Sequence, residues 1–499
     1  MKLSEVKPNT VWQYFEQLTQ QVPRRSQHKE KVIAFMLDFA KKHNLEVKKD
    51  KTGNILIKKP AAKGMENVKS IILQAHLDMV CVADKDVKID FLNDPIPAYV
   101  DGEWVKAKGT TLGADNAIGM AMMMRILTDN QIQHGPIECL FTVDEEIGLI
   151  GAHALESGFF ESKILINLDS EKEGEIFVGC AGGIDAKAFF DYHQEAVPAN
   201  HVAYQFAINK LKGGHSGADI YEGRANANKI ANRFLYYITE KYQARLSEFS
   251  GGHAPNVIAS SADFIFTIDQ DYQNELKSDF EAFANEIKSE FIKLESSMNI
   301  DLKAVEKPDF VINMETQKNL TNALYICPNG VFAMSLDIPG LVETSTNLAV
   351  VKFREDDLAS PRYKQLLKQI IVLTKQRSSI ASGKCDINTM VRKAFELNGA
   401  KVSNGAEYPG WKPNLESELL KVAEDAYFKL FGKKPLVKAS HGGLECGLFL
   451  EKYNRELDMI SIGPTIKDAH SINEKIEIRT VQMCYEHILE ILKNIPKNS

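Results

Sequence analysis

His76 and Asp78 stand two residues apart in an otherwise apolar run, Ile71-Ile-Leu-Gln-Ala-His-Leu-Asp78. Side chains at i and i+2 of a strand share a face. A segment that reads as buried therefore aims an imidazole and a carboxylate at the same spot. The same kind of ending recurs along the chain. Phe141-Thr-Val143 runs into Asp144-Glu145-Glu146, Ile164-Leu-Ile-Asn-Leu168 into Asp169, and Met459-Ile-Ser-Ile-Gly463 is followed by Asp468-Ala469-His470. Asp115 closes the glycine-containing turn Gly109-Thr-Thr-Leu-Gly-Ala-Asp115. Taken singly, each has a plain structural reading. His76 would be bonded to Asp78 in a core, Asp115 would cap a helix, and Asp144-Glu145-Glu146 would be a solvated turn. Asp169 would cap a turn, and His470 would sit in a surface loop. Taken together, carboxylates and imidazoles converging at strand ends are destabilising unless a cation joins them. A divalent metal is the simplest such cation. Neutral imidazole with carboxylate suits zinc, or manganese and cobalt.

The elements that must position these groups alternate in type. Strands are expected over Asn54–Lys58, Lys69–Val80, Gly135–Val143 and Ile164–Leu168, and helices over Val11–Val22, Ser26–His43 and Asn116–Asp129. Ser26 is the expected N-cap of the second helix. Such alternation predicts an α/β sheet covered on both sides, with ligands bound beyond the carboxyl ends of its strands. After Gly179-Cys-Ala-Gly-Gly-Ile184 the pattern changes to alternating segments, including Ala186–Tyr192, Val202–Leu211, Asp263–Ile268, Val331–Leu336 and Leu348–Phe353. Helices are expected there over Asn226–Tyr242, about Ser360–Thr374 and Cys385–Glu396, which together make an α+β region. Near Gly405-Ala-Glu-Tyr-Pro-Gly-Trp411 the first style returns, with strands at Val437–Ser440 and Met459–Ile462 and helices at Leu415–Phe431 and Val481–Lys493. The predicted organisation is an α/β domain of residues 1–184 and 407–499, with a mostly parallel mixed sheet, interrupted by an α+β domain of residues 185–406.

Composition bounds the partners. The chain has 499 residues, 44% hydrophobic and 25% charged, with a net charge of −7. Two domains are the natural expectation at that length. The negative balance argues against nucleic acid or an anionic membrane as a partner. No apolar run reaches the roughly 20 residues that span a bilayer, and the first residues lack the apolar core of a secretory signal. The 7 cysteines are dispersed with no Cys-x-x-Cys pair, as expected of reduced thiols in a cytoplasm.

The phrases His76-Leu-Asp78, Gly113-Ala-Asp-Asn-Ala-Ile-Gly119, Asp144-Glu-Glu-Ile-Gly148, Asn167-Leu-Asp169 and Asp468-Ala-His-Ser471 together resemble the co-catalytic zinc exopeptidases. That family includes carboxypeptidase G-like enzymes, tripeptidase T and the cytosolic dipeptidases. Tyr408-Pro-Gly-Trp411, Gly443-Leu-Glu-Cys-Gly447 and Ser461-Ile-Gly-Pro-Thr465 extend the likeness over essentially the whole chain. The resemblance implies a zinc-exopeptidase-like catalytic domain with an inserted lid and dimerisation domain. It implies two metal ions, zinc with cobalt or manganese as substitutes. His76 and Asp169 would hold one, Glu146 and His470 the other, and Asp115 would bridge them. Asp78 would orient His76, and Glu145 would be the general base. In the inserted domain His215, within Gly213-Gly-His-Ser-Gly217, would donate to the oxyanion across a homodimer; without the resemblance it reads as a glycine turn. Arg377 would bind the substrate carboxylate, the alternative being a surface salt bridge. Glu445 would sit near the substrate amine, and His441 and Asn347 are further pocket candidates.

The implied activity is hydrolysis of unblocked L-dipeptides, with aminoacyl-histidine preferred, by a cytoplasmic homodimer. Two departures bear on it. Gly251-Gly-His-Ala-Pro-Asn256-Val-Ile-Ala259 stands where relatives often have Arg-Asn-Ala-Ile-Pro, so substrate preference transfers less well than metal chemistry. Asp468-Ala-His470 lacks the proline that often precedes this histidine. Two competing readings stand beside the dipeptidase: an N-acyl amino acid amidohydrolase or deacetylase on the same fold, and a non-catalytic metal-dependent binding protein.

Overall fold

The computed structural model describes residues 3–354, 368–453 and 456–498. The chain divides into two compact units. Unit 1 comprises residues 1–180, 411–439 and 444–499, and unit 2 comprises residues 181–410 and 440–443.

Unit 1 is built on an 8-stranded mixed sheet. Its centre is parallel, in the order Ile137–Thr142, Ile71–His76, Ile164–Asn167 and Asp458–Ser461. Antiparallel strands extend it, Ile55–Lys59 and Glu46–Lys49 on one side and Glu175–Cys180 on the other. Ile71–His76 and Ile137–Thr142 are buried at every position. That is why they read as continuous apolar runs rather than as alternating ones. The helix Ala114–Thr128, rich in Met and Ala, is buried on nearly all its faces. The parallel strands all point the same way, so their carboxyl ends lie along one edge of the sheet, followed in sequence by the acids and histidines noted above.

Unit 2 contains a 9-stranded sheet among the described residues, antiparallel throughout its pairings. Gly182–Asp191 alternates buried and open positions along its second half, as a sheet with one solvated face requires. The covered face packs on the helix Ala227–Tyr242, with Phe206 stacked on Phe264 and Phe234 at ring separations of 5.0 and 5.2 Å. Asn226 caps that helix by accepting from the amides of Asn228 and Lys229.

Two sequence expectations need correction. The helix expected over about 360–374 is absent where it can be seen. Residues 360–367 lie outside the described residues, and Gln369–Ser378 is a strand paired along its whole length with Gly182–Asp191. Its Ile, Val and Thr content suits that pleated position better than a helix. Ser26 does not cap the following helix, which begins at Glu30 behind Lys29 with no side-chain cap. The Ser26 hydroxyl donates instead to Asp78 Oδ2 at 2.8 Å.

Candidate active site

The strand ends of unit 1 bring His76, Asp115, Glu146, Asp169 and His470 together. Asp115 stands at their centre, with each of its oxygens serving a different histidine. Oδ1 lies 2.9 Å from His76 Nε2, and Oδ2 lies 3.0 Å from His470 Nε2. Around the first pair, Asp169 Oδ1 is 3.3 Å from the same His76 nitrogen. Around the second, Glu146 Oε2 is 3.1 Å from His470 Nε2. Ligand atoms of His76, Asp115 and Glu146 all lie within 4.8 Å of one another. Asp115 is not a helix cap. Its carboxylate oxygens go to the two histidines, and the helix is kinked at Asp115 and Asn116, both of which have non-helical backbone angles.

The electrostatics of the cluster follow from this crowding. Burial would raise the Asp115 carboxyl, but contacts with His470 and His76 outweigh it and hold it below the ordinary aspartate range. Contacts with Asp115 and Glu146 push the His470 imidazole up to about 11. Burial would lower His76, yet Asp169, Asp115 and Asp78 together raise it well above its usual value. Both imidazoles are thus held as cations by the carboxylates around them. A divalent ion would replace those protons, because an imidazole must be neutral to ligate. Glu146 Oε1 is buried with no hydrogen-bond partner among the described residues. An orphaned carboxylate oxygen facing imidazole and carboxylate donors fits a metal well.

Glu145, beside Glu146, is half-buried at the same edge. Burial, then the charges of Asp169, Glu146 and Glu445 against that of His76, push its carboxyl well above the ordinary glutamate range. Asp78 is the joint between these groups. Its backbone carbonyl meets His76 Nδ1 at 3.1 Å, with Oδ1 at 3.6 Å from the same nitrogen. Its Oδ1 accepts from the Glu145 amide at 2.9 Å and its Oδ2 from the Glu146 amide at 3.2 Å. Asp78 therefore orients His76 through its main chain and holds the Glu145–Glu146 turn through its side chain.

Several residues that the sequence reading did not single out complete the site. Glu474, buried, accepts from the amides of Leu112, Gly113 and Ala114 at 2.8 to 2.9 Å and of Asp115 at 3.4 Å. It anchors the segment that presents Asp115. Asn116 Nδ2 donates to Asp169 Oδ1. Gly463 must be glycine, because a Cβ there would lie 1.7 Å from the Ser170 carbonyl, directly after Asp169. The only advance signal for Glu474 was its place four residues after His470. Glu445, which the sequence did single out, is fully buried in unit 1, its Oε2 accepting from Gln74 Nε2 at 2.6 Å and Thr142 Oγ1 at 2.8 Å. Burial pushes its carboxyl up to about 8.

Unit 2 gathers the remaining expected residues, apart from Asn347, into a cluster of donors. Arg377, buried, donates from Nη1 to Tyr408 Oη at 2.7 Å, and its Nη2 lies 3.3 Å from His215 Nε2. His215 Nδ1 accepts from the amides of Gly217 and Ala218 at 3.3 and 3.1 Å. With Nδ1 accepting, the neutral ring carries its proton on Nε2, so that Nε2 and the guanidinium are two adjacent donors with no bond between them. His441 Nε2 is bonded to Ser345 Oγ at 2.7 Å, and burial, then the Arg377 charge, push its imidazole down to about 3. Asn347 is turned elsewhere, donating to the carbonyls of Val257 and Pro255 at 2.8 and 3.4 Å. A buried cation beside an N–H donor suits a carboxylate or an oxyanion.

A family model for peptidase family M20/M25/M40 matches residues 72–494. The chain is 40% identical, over 99% of both chains, to the cytosol non-specific dipeptidase of Escherichia coli (strain K12). Among solved structures it is similar to an aminoacylhistidine dipeptidase from Vibrio alginolyticus, with 41% identity and a TM-score of 0.88, covering 100% of this chain and 99% of the other. The aminopeptidase PepT of Bacillus cereus shares the fold at 19% identity and a TM-score of 0.56, covering 98% and 99% of the two chains.

Proposed function

The chain belongs to peptidase family M20/M25/M40, and from that premise we propose that it is a two-metal dipeptidase acting on unblocked L-dipeptides, aminoacyl-histidine among them. The observation that carries this reading is the division of Asp115, one oxygen to the His76–Asp169 side and the other to the His470–Glu146 side. His76 and Asp169 would hold one ion, His470 and Glu146 the other, with Asp115 shared. Zinc suits these donors, and cobalt or manganese would substitute. When bound, such a pair of ions supplies Lewis acidity to the scissile carbonyl and a water of lowered pKa.

Glu145 accepts the proton of that water and passes it to the leaving amine. Asp78 keeps His76 and the Glu145–Glu146 turn in register. His215 donates to the oxyanion, from the partner subunit of a homodimer, and Arg377 binds the terminal carboxylate. His441 and Glu445 support these groups from buried positions. In this reading unit 1 is the catalytic domain and unit 2 the lid and dimerisation domain. Exposed Val331, Phe332, Met334 and Leu336, on and just beyond the strand Gly330–Met334, support a subunit contact there. Sedimentation as a monomer would sink that part. A cytoplasmic location is supported by the E. coli relative's name.

The test is purified protein loaded with zinc and assayed on Ala-His and Gly-Leu against their N-acetyl derivatives. Cleavage of the free dipeptides alone is expected, and cleavage of the blocked ones alone would favour an amidohydrolase. Glu145→Gln is expected to keep both metal equivalents and lose about 10³-fold in kcat. Unchanged kcat would leave a metal-binding protein without this base.

A further inference from the structure

The segment Arg24–Lys29 of unit 1 lies between the helices Asn9–Gln20 and Glu30–Lys42. Its bonds run to the supports of Glu145 and Glu146. The Arg24 carbonyl accepts from the Met79 amide at 2.9 Å. The buried Arg24 guanidinium donates from Nη1 to the Asp78 carbonyl at 3.3 Å and from Nη2 to the Gly113 carbonyl at 2.5 Å. Ser26 Oγ donates to Asp78 Oδ2 at 2.8 Å, the oxygen that also takes the Glu146 amide. The Gln27 amide donates to Asp144 Oδ1 at 2.6 Å, and Lys29 Nζ to Asp144 Oδ2 at 2.7 Å.

Asp144 is the residue that turns the chain into Glu145. It is buried and left-handed, with φ of +53°. Such backbone persists where the surroundings fix it. Both of its carboxylate oxygens are fixed by Gln27 and Lys29. The turn bearing Glu145 and Glu146 is thus held by two aspartates, Asp78 and Asp144, and one segment grips both.

We propose that Arg24–Lys29 is a clamp that positions the general base and its neighbouring metal ligand, acting through Asp78 and Asp144. It rests on the reading of Glu145 as base and Glu146 as ligand. Its residues are positioning residues, removed from the reacting atoms. Lys29 is the place to test it, because its side chain is 24% exposed and it meets Asp144 through its terminal Nζ.

The experiment is zinc titration by chelator competition, with kcat and KM, on the full-length Lys29→Ala, Lys29→Arg and Glu146→Ala proteins. Lys29→Ala is expected to bind one of the two zinc equivalents about 10–100-fold more weakly, as loss of an outer support does. The other equivalent should be unchanged, kcat should fall by a similar factor, and KM should stay within about twofold. Lys29→Arg should restore both. Wild-type zinc binding and kcat with only a lowered Tm would overturn the clamp, as would equal weakening of both equivalents. Glu146→Ala separates the premise from the inference. If it keeps both equivalents, the ligand assignment falls and the clamp with it. If it loses one while Lys29→Ala loses neither, the clamp alone falls. Should Lys29→Ala fail to fold, Ser26→Ala removes a single hydroxyl and is read in the same way.

Discussion

The two units carry opposite electrostatic debts. In unit 1, carboxylates outnumber imidazoles, and their charge raises both His76 and His470 above the ordinary imidazole range. In unit 2, a buried guanidinium and an imidazole N–H stand together, with Tyr408 and Ser216 as polar partners of the guanidinium. One cluster suits cations, the other an anion. A metal-dependent exopeptidase needs both kinds, because its ions activate the reaction and its substrate ends in a free carboxylate. The contrast also reflects the sheets. Parallel strands deliver their carboxyl ends to one edge, so acids from distant parts of the sequence meet there. An antiparallel sheet has no such edge, and its cluster is assembled from the strand bearing Arg377 and the loops around His215 and His441.

The contrast breaks most sharply at Asp115. Asp115→Ala is expected to lose both metal equivalents and all measurable activity, while unit 2 keeps its fold by circular dichroism. Retention of one equivalent would show that the two histidine sides do not share this carboxylate. A smaller effect is expected on the anionic side. Arg377→Met should raise KM for dipeptides about 30–100-fold, the worth of a charge-assisted pair, with kcat far less affected. Dipeptide amides, which lack the carboxylate, should lose little. Equal losses on both substrates would remove the anion reading of unit 2.

The smallest effect concerns pH. His441 in unit 2 and His487 in unit 1 are buried, with imidazoles pushed down to about 3 and about 4. Their folded values lie below the unfolded value of about 6.5, so the unfolded chain takes up protons first as pH falls. Their stabilising effect is complete above about pH 6.5 and is lost progressively towards pH 4 and 3. Between pH 6.5 and 5 each should cost about 2 kcal/mol. Urea unfolding at the two pH values checks this, and His487→Gln should flatten the unit 1 share. A slope unchanged by that substitution would mean that His487 is not titrating on unfolding.

What could be read in advance divides along physical lines. Strand ends such as Ala75-His76 and Val143-Asp144 were legible because burial on both faces writes itself as an uninterrupted apolar run, and the acid that follows stands out. The cluster of His76, Asp115, Glu146, Asp169 and His470 was legible for the same reason, aided by family phrases. Glu474 was not, because its partners are the backbone amides of Leu112 to Asp115, some 360 residues away. Ser26 was misread for a related reason. A hydroxyl ahead of a helix looks like a cap, and nothing local reveals that Asp78 claims it. The first part of Gln369–Ser378, up to Thr374, reads as the end of a helix because the Leu- and Lys-rich residues before it blur its period of two.

The central strand Asp458–Ser461 lies beside Ile164–Asn167, although nearly three hundred residues separate them in the chain. A nascent chain that has reached residue 440 has neither this strand nor His470. It carries His76, Asp115 and both glutamates, but the sheet that aligns them is open on one side. The order of synthesis thus leaves the cluster around Asp115 without its second histidine until the last part of the chain arrives.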